Sequence, residues 1–360
     1  MRILRVAQNL YPEVPGGGSY HVHAMSRNQA EMGHEVTVLT ISNNESLPRR
    51  ERRSGYTIVR RRPTTEVLGN EISVGAAKVL RRAKGFDAIH AHSHLYFSTN
   101  LTAIRRRLGE PPLAITNHGL YSQNAPEWLF NLYLRTAGRW TFNQADVIFC
   151  YTDEDRKRVQ SLGVDSRIAV VPNGIDTDRF TPNGEGSELI DHEGTVVLFV
   201  GRLVDGKRPK DAMKAVSLLP DDLNAKLYIA GDGPLRSELL DDDENVELLG
   251  RVSYHEMPAV YRASDVLLLP SRAEGMPRTV LEAMASGLPV VSSDLDHIAP
   301  VVRKAGTTVK MGDINGYAEA LQKILTSPRK VGQKGRETII ENHTWDETVE
   351  ETSKVLQQLV

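Results

Sequence analysis

Glu274 and Glu282 are the residues with the most chemistry in reach, because they flank the joint between a strand and a helix with seven residues between them. The apolar run Val266-Leu267-Leu268-Leu269 leads to Pro270, which ends a buried strand. Pro277 stands where a helix tolerates proline best, in its first turn, and Gly287 stands where helices stop. The pattern predicts strand, short loop, helix, with Glu274 in the loop and Glu282 inside the helix. A helix start exposes unpaired N–H groups and the positive end of the macrodipole, which suits phosphate. Carboxylates accept hydrogen bonds from sugar hydroxyls. A plainer reading stands beside this one: Thr279-x-x-Glu282 matches a capping box, and Glu274 is then a solvated loop residue.

Two cations add to the pattern. Arg202 follows Gly201 at the end of the apolar run 196–200, and Lys207 lies five residues on. Charge builds on a diphosphate leaving group as its bond breaks, and fixed cations stabilise it. Arginine grips oxygens in bidentate fashion while lysine supplies a point charge. The alternative is an ordinary surface pair.

The letters around the glutamates extend from Pro270-Ser271 and Glu274-Gly275 through Leu281-Glu282-Ala283-Met284-Ala285-x-Gly287-x-Pro289-Val290. This stretch resembles the E-x7-E signature of retaining glycosyltransferases of the GT-B fold, most closely their family 4. The resemblance implies that Glu274 and the turn after it (Gly275, Met276, Pro277 and Thr279) hold the donor sugar, and that Glu282 grips the ribose. It puts Arg202 and Lys207 on the donor diphosphate, through G-R-L-x-x-x-K. It also implies a donor role for Asn173, in the crossing Pro172-Asn173-Gly174-Ile175-Asp176, and for Arg251 and Val252, in the loop that reads the nucleotide base.

Three further stretches precede the crossing. Gly16, Gly17 and Gly18 are consecutive, unlike a G-x-G-x-x-G dinucleotide fingerprint, and let backbone approach a ligand closely. The resemblance turns them toward the donor phosphates and the acceptor; a flexible turn is the bland alternative. His118, in Thr116-Asn117-His118-Gly119, is implied to contact the donor sugar near the reacting carbon, against the alternative of a buried structural histidine. His90-Ala91-His92-Ser93-His94 lacks a nearby carboxylate or cysteine to complete a zinc set and resembles the family's strand-end H-x-H. The acidic run 241–244 reads as a solvated helix end rather than a metal site. No metal is expected.

These residues need a scaffold. Apolar or β-branched runs near 3–7, 36–41, 56–60, 88–92, 113–116, 147–151 and 168–171 alternate with helical periods over 20–32, 72–82, 97–108 and 128–142. The alternation restarts at 196 and argues for an α/β chain with mostly parallel sheets. The resemblance sharpens this to GT-B, two Rossmann-like domains with parallel sheets facing a deep interdomain cleft. Residues 1–172 are expected to bind the acceptor and 173–345 the donor, with the last helix, 346–360, packing back onto the first domain.

The chain has 360 residues, enough for two domains, and is 40% hydrophobic and 25% charged, as globular proteins are. The lone Cys150 excludes an internal disulfide and fits a reducing cytosol. No apolar run reaches a membrane span, and the chain enters a strand at once, so a cytoplasmic location without a signal peptide is expected. Residues 1–172 hold 23 Lys and Arg against 15 Asp and Glu, a net +8, and the remainder holds 21 against 31, a net −10. A basic half suits an anionic partner or is a solvated surface. Peripheral contact with an anionic membrane on its inner face is the expectation drawn from it, and Arg49-Arg50-Glu51-Arg52-Arg53 is expected to be a mobile loop. No nucleic-acid partner is expected.

The predicted reaction is transfer of a hexosyl unit from a nucleotide-diphosphate sugar to a hydroxyl of a glycan, glycolipid or lipid-linked saccharide, with anomeric configuration retained. No cofactor is expected, and UDP-hexose is favoured over GDP-mannose. A nucleotide-sugar 2-epimerase, an NAD-dependent oxidoreductase and an inactive sugar-binding module are the alternatives.

Overall fold

The computed structural model describes residues 1–109, 111–121, 127–239 and 245–360. These fall into two units, Met1–Pro172 with Thr348–Val360, and Asn173–Glu347. The acidic run 241–244 lies outside the described residues.

The strands of the first unit, in chain order, are β1 (Arg2–Val6), β2 (Glu35–Ile41), β3 (Arg50–Arg53), β4 (Tyr56–Arg61), β5 (Thr65–Val67), β6 (Asn70–Ile72), β7 (Ala88–His92), β8 (Leu113–Thr116), β9 (Val147–Cys150) and β10 (Arg167–Val170). Eight of them form one sheet in the order β10-β9-β8-β7-β1-β2-β4-β3, while β5 and β6 pair as a separate hairpin. All neighbours run parallel except β3 against β4. Parallel sheets are covered on both faces, which explains why the central strands are unbroken apolar runs. One face packs Leu4, Ile89, Ile115 and Ile148 against the helices Val74–Arg82, Phe97–Arg107 and Asp153–Ser161. The other packs Ile3, Val36, Val38 and Phe149 against Val22 of the helix Gly17–Glu31 and Leu356 of the helix Trp345–Gln357.

Two local expectations change. The helix expected from residue 72 begins at Val74, because Ile72 belongs to β6 and Ser73 caps the helix by accepting from the Ala76 amide. The arginine cluster expected as a mobile loop is strand β3, paired with β4 from Arg50↔Val59 to Arg53↔Tyr56. Two acids explain the order: Arg60 lies 2.6 Å from both Glu13 and Glu51, and Arg53 lies 2.9 Å from Glu13. Burial and these arginines act oppositely on Glu13, and the arginines prevail, holding its carboxyl below its usual value.

Histidines gather at the carboxyl ends of β7 and β8. His90 and His92 share a face of β7, with ring centroids 4.5 Å apart. His90 Nε2 meets Thr116 Oγ1 at 2.7 Å, His92 Nδ1 meets His118 Nε2 at 3.1 Å, and the Tyr151 hydroxyl meets His118 Nδ1 at 2.9 Å. Burial pushes His118 down to about 4 and His94 down to about 3, and holds His90 and His92 well below the usual histidine value.

The second unit holds β11 (Val196–Val200), β12 (Lys226–Ala230), β13 (Val246–Gly250), β14 (Val266–Leu269), β15 (Val290–Ser293) and β16 (Gly306–Val309). The order is β13-β12-β11-β14-β15-β16, and every pairing is parallel. Chain order reverses between β11 and β14, so the loops leaving these neighbouring strands diverge. Open α/β sheets bind ligands at that switch point. Backbone comes very close at this edge: a Cβ on Gly231 would sit 1.8 Å from the Gly201 carbonyl oxygen. Only glycine fits there.

Two outcomes follow from this packing. Gly231→Ala forces the β11 and β12 ends apart, and urea denaturation should show a loss of about 2 kcal/mol or more. Unfolded histidines take up protons near 6.5, whereas His118 and His94 in the fold wait until about 4 and 3. The unfolded chain therefore binds more protons in that window, and stability falls as pH falls from about 6.5 toward 4. Urea midpoints at pH 7 and pH 5 test this; equal midpoints would contradict it.

Candidate functional site

The strand-loop-helix predicted around the glutamates is present as β14, the loop 270–277 and the helix Arg278–Ala285, whose cap residue is Pro277. Leu267 and Leu268 are fully buried in β14, and Val280, Leu281, Ala283 and Met284 fix the helix to the sheet. The capping box does not form, for no side chain caps this helix. Glu282 faces inward instead and is 4% exposed.

Glu274 is also 4% exposed, so it is not a solvated loop residue. Its carboxylate pairs with the Lys207 ammonium and accepts a hydrogen bond from Nζ. Lys207 closes a short 3₁₀ turn, Asp205–Lys207, in the loop after β11. The two loops of the switch point are joined again through backbone, since the Arg272 amide donates to the Gly206 carbonyl at 2.8 Å. A cation and a buried carboxylate thus stand together just ahead of a helix N-terminus, where backbone N–H groups face outward.

Glu282 is held by residues that the sequence reading did not single out. The Tyr261 hydroxyl donates to its Oε2 at 3.1 Å, and Arg278 Nε lies 3.5 Å from its Oε1. Burial pushes the Glu282 carboxyl up, against the opposing pull of Arg278 and of its hydrogen bonds. Arg278 donates to the Gly174 carbonyl and the Tyr254 hydroxyl at 3.2 and 3.1 Å, and its guanidinium lies 5.5 Å from the Trp345 ring centroid. The signal in the sequence was the i,i+4 spacing of Arg278 and Glu282 on one helix. The tyrosines carried none, because their reach depends on tertiary packing.

Asn173 is buried, donates from Nδ2 to the Met276 carbonyl at 3.5 Å and accepts at its own carbonyl from His343 Nδ1 at 3.2 Å. It anchors the loop that carries Glu274, Gly275 and Pro277. Among the described residues, the buried Ser271 Oγ, Thr279 Oγ1 and both ring nitrogens of His297 find no hydrogen-bond partner. His297 was not anticipated; an isolated histidine carries no pattern.

The other expected residues are placed as follows. Arg202 is exposed in the same loop as Lys207. Arg251 is exposed after β13 and pairs with Asp232 at 3.2 Å, while Val252 is half-buried. Gly16, Gly17, Gly18 and His118 belong to the first unit. Gly16 has φ of 149°, open to glycine, and precedes the helix Gly17–Glu31. Both His118 nitrogens are engaged, by His92 and Tyr151.

Comparison with known proteins gives the arrangement a lineage. The sequence model of Glycosyltransferase Family 4 matches residues 15–179, and that of Glycosyl transferases group 1 matches residues 194–327. An uncharacterised glycosyltransferase of Methanocaldococcus jannaschii is 26% identical over 99% of this chain and 97% of its own. The UDP-Gal:alpha-D-GlcNAc-diphosphoundecaprenol alpha-1,3-galactosyltransferase of Escherichia coli is 30% identical over 69% of this chain and 68% of its own. Among solved structures, sucrose-phosphate synthase from Thermosynechococcus elongatus matches with a TM-score of 0.84 at 20% identity, over 99% of this chain and 98% of that one. Family matches on both halves, a relative aligned along the whole chain and a shared fold agree with the two sheets and their loops: the chain belongs to glycosyltransferase family 4, as a glycosyltransferase of the GT-B fold.

Proposed function

We propose that this chain moves a hexosyl unit from a nucleotide-diphosphate sugar to an acceptor hydroxyl with retention at the anomeric carbon. The observation that carries this reading is the Lys207–Glu274 pair at the switch point of the second sheet, ahead of the helix Arg278–Ala285. In the reading, the bond from the sugar C1 to the diphosphate breaks while Lys207, Arg202 and the helix N-terminus offset the charge that develops on the diphosphate. The acceptor oxygen bonds to C1 on the face that the diphosphate leaves, and the acceptor proton passes to a diphosphate oxygen. Glu274 binds the sugar and stabilises positive charge at C1, Glu282 takes the ribose, and Arg251 and Val252 border the base. Asn173, Gly275, Met276, Pro277 and Thr279 shape the donor seat. Gly16, Gly17 and Gly18 serve the donor phosphates. His118 stands near the sugar, and its value of about 4 keeps it a neutral imidazole at neutral pH. This scheme needs neither a metal nor a cofactor.

UDP-hexose is the preferred donor and GDP-mannose the second, and the acceptor is a glycan, glycolipid or lipid-linked saccharide. The Escherichia coli relative, whose name pairs UDP-Gal with a diphosphoundecaprenol-linked sugar, supports that order. Contact of the basic first unit with an anionic membrane at its inner face belongs to the same reading.

A thermal-shift screen against UDP, GDP, ADP and their sugar conjugates tests it. A nucleotide at 100 times its dissociation constant adds about 2.7 kcal/mol of stability, enough for a visible rise in Tm. The UDP rise should shrink in Lys207→Ala and Glu282→Ala proteins. A well-folded chain that no nucleotide stabilises would sink the donor reading. Epimerisation of the donor sugar without acceptor would replace transfer by the epimerase reading.

A further inference from the structure

One face of the first unit's sheet carries Asp153–Ser161, whose three acids and three bases cancel, and three further helical stretches: Val74–Arg82, Phe97–Arg107, and the segment that runs through Glu127–Tyr133, Leu134–Gly138 and Arg139–Phe142. Their inward residues, among them Leu80, Ala103, Phe130 and Phe142, share a single core with Leu4 and Ile115. Their other sides therefore form one outer layer. The three stretches hold eight Lys and Arg and one acid, Glu127. Large apolar side chains stand out among these cations: Leu108, just past the second stretch, is 77% exposed and Trp128 is 70% exposed. Val74, Ile104, Leu132 and Trp140 are exposed on the same layer.

The geometry of the third stretch strengthens the pattern. Residues Leu134–Gly138 are π-helix, which turns less per residue than α-helix. That delay brings Trp140 back toward the side already occupied by Trp128 and Leu132, with Arg135 and Arg139 exposed beside them. A surface that only needed solubility would not carry two tryptophans and a leucine there. Tryptophan beside arginine suits the headgroup level of a bilayer.

On the same sheet face, beside the helix Val74–Arg82, lies a cavity of about 470 Å³. Leu4, Leu39, Val59, Val79 and Phe86 give it apolar walls. Arg2, Arg50, Arg61, Lys78, Arg82 and Lys84 give it cations, and Glu35, 3.3 Å from Arg2, is the one acid that lines it. Like charges so placed repel one another unless an anion joins them.

We propose that this helical layer docks on an anionic phospholipid bilayer, with the basic cavity taking the phosphate of one lipid headgroup. The proposal deepens the membrane contact included in the proposed function and names its surface. Apolar walls next to the cations favour a lipid over a free anion, and the exposed tryptophans favour a bilayer over a nucleic acid, which needs no apolar stripe.

Co-sedimentation with phosphatidylcholine vesicles, with and without phosphatidylglycerol, tests it. Binding is expected only with phosphatidylglycerol and should weaken as salt rises. Lys78→Gln with Arg82→Gln should weaken it about twenty-five-fold, at about fivefold for each cation lost. Trp128→Ser with Trp140→Ser should weaken it as well. All these residues are exposed, so both variants should keep the parent circular dichroism and the parent UDP thermal shift, which separates this surface from the donor site. Equal sedimentation with both vesicle types, or variants that bind like the parent, would overturn the proposal. So would a thermal shift with inorganic diphosphate that depends on Lys78 and Arg82 without vesicle binding, or binding of an oligonucleotide that vesicles do not match.

Discussion

A carboxylate sealed from water needs a cation or several donors to replace the water it loses. Glu274 and Glu282 are both sealed, and each has its own answer: Lys207 for the first, Arg278 and Tyr261 for the second. Those answers tie five separate pieces of chain together. Lys207 brings the loop after β11 to the loop after β14, and Arg278 reaches Gly174, Tyr254 and Trp345. Removing one partner of such a pair leaves a buried charge alone, which costs far more than the pair contributes. The geometry of this edge of the sheet is thus held by charged pairs rather than by apolar packing alone.

In the first unit Arg5 meets a similar constraint with neutral partners. Arg5 lies in the middle of the sheet, fully buried, and donates to Ser26 Oγ at 2.8 Å and Gln29 Oε1 at 2.6 Å, with His90 Nδ1 3.3 Å away. Burial lowers it to about 9, so it remains a cation at neutral pH. Gln29 in turn donates to Ser353 Oγ at 2.9 Å, which links the central strand to the returning C-terminal helix. Neutral histidines next to a buried cation are electrostatically consistent, since a protonated neighbour would be repelled. Burial is the main reason that the cluster at the ends of β7 and β8 stays neutral, and Arg5 adds to it at His90 and His92.

The strand, loop and helix around Glu274 were legible beforehand. Pro277 and Gly287 framed the helix, and Arg202, Lys207, Glu274 and Glu282 were named from spacing and family likeness. The local patterns that the fold did not follow share a cause. The capping box was a sound local pattern, but Glu282 turned inward because Arg278 and Tyr261 were there to receive it. The arginine cluster looked like a solvated loop, but Glu13, far away in the chain, made it an edge strand. Tyr254, Tyr261 and His297 had no local pattern at all.

By itself the sequence determined the alternation of strands and helices, because period and punctuation are local properties of the chain. It also determined the charge imbalance between the two halves and the residue types available for phosphate and sugar chemistry. Tertiary structure alone decided which charges became partners, which histidines were kept neutral and which apolar side chains stayed outside. Those outcomes depend on burial and on contacts between segments tens to hundreds of residues apart, such as Lys207 with Glu274 and Gln29 with Ser353. Desolvation acts on a place in the fold, not on a place in the sequence, so no local pattern could announce it.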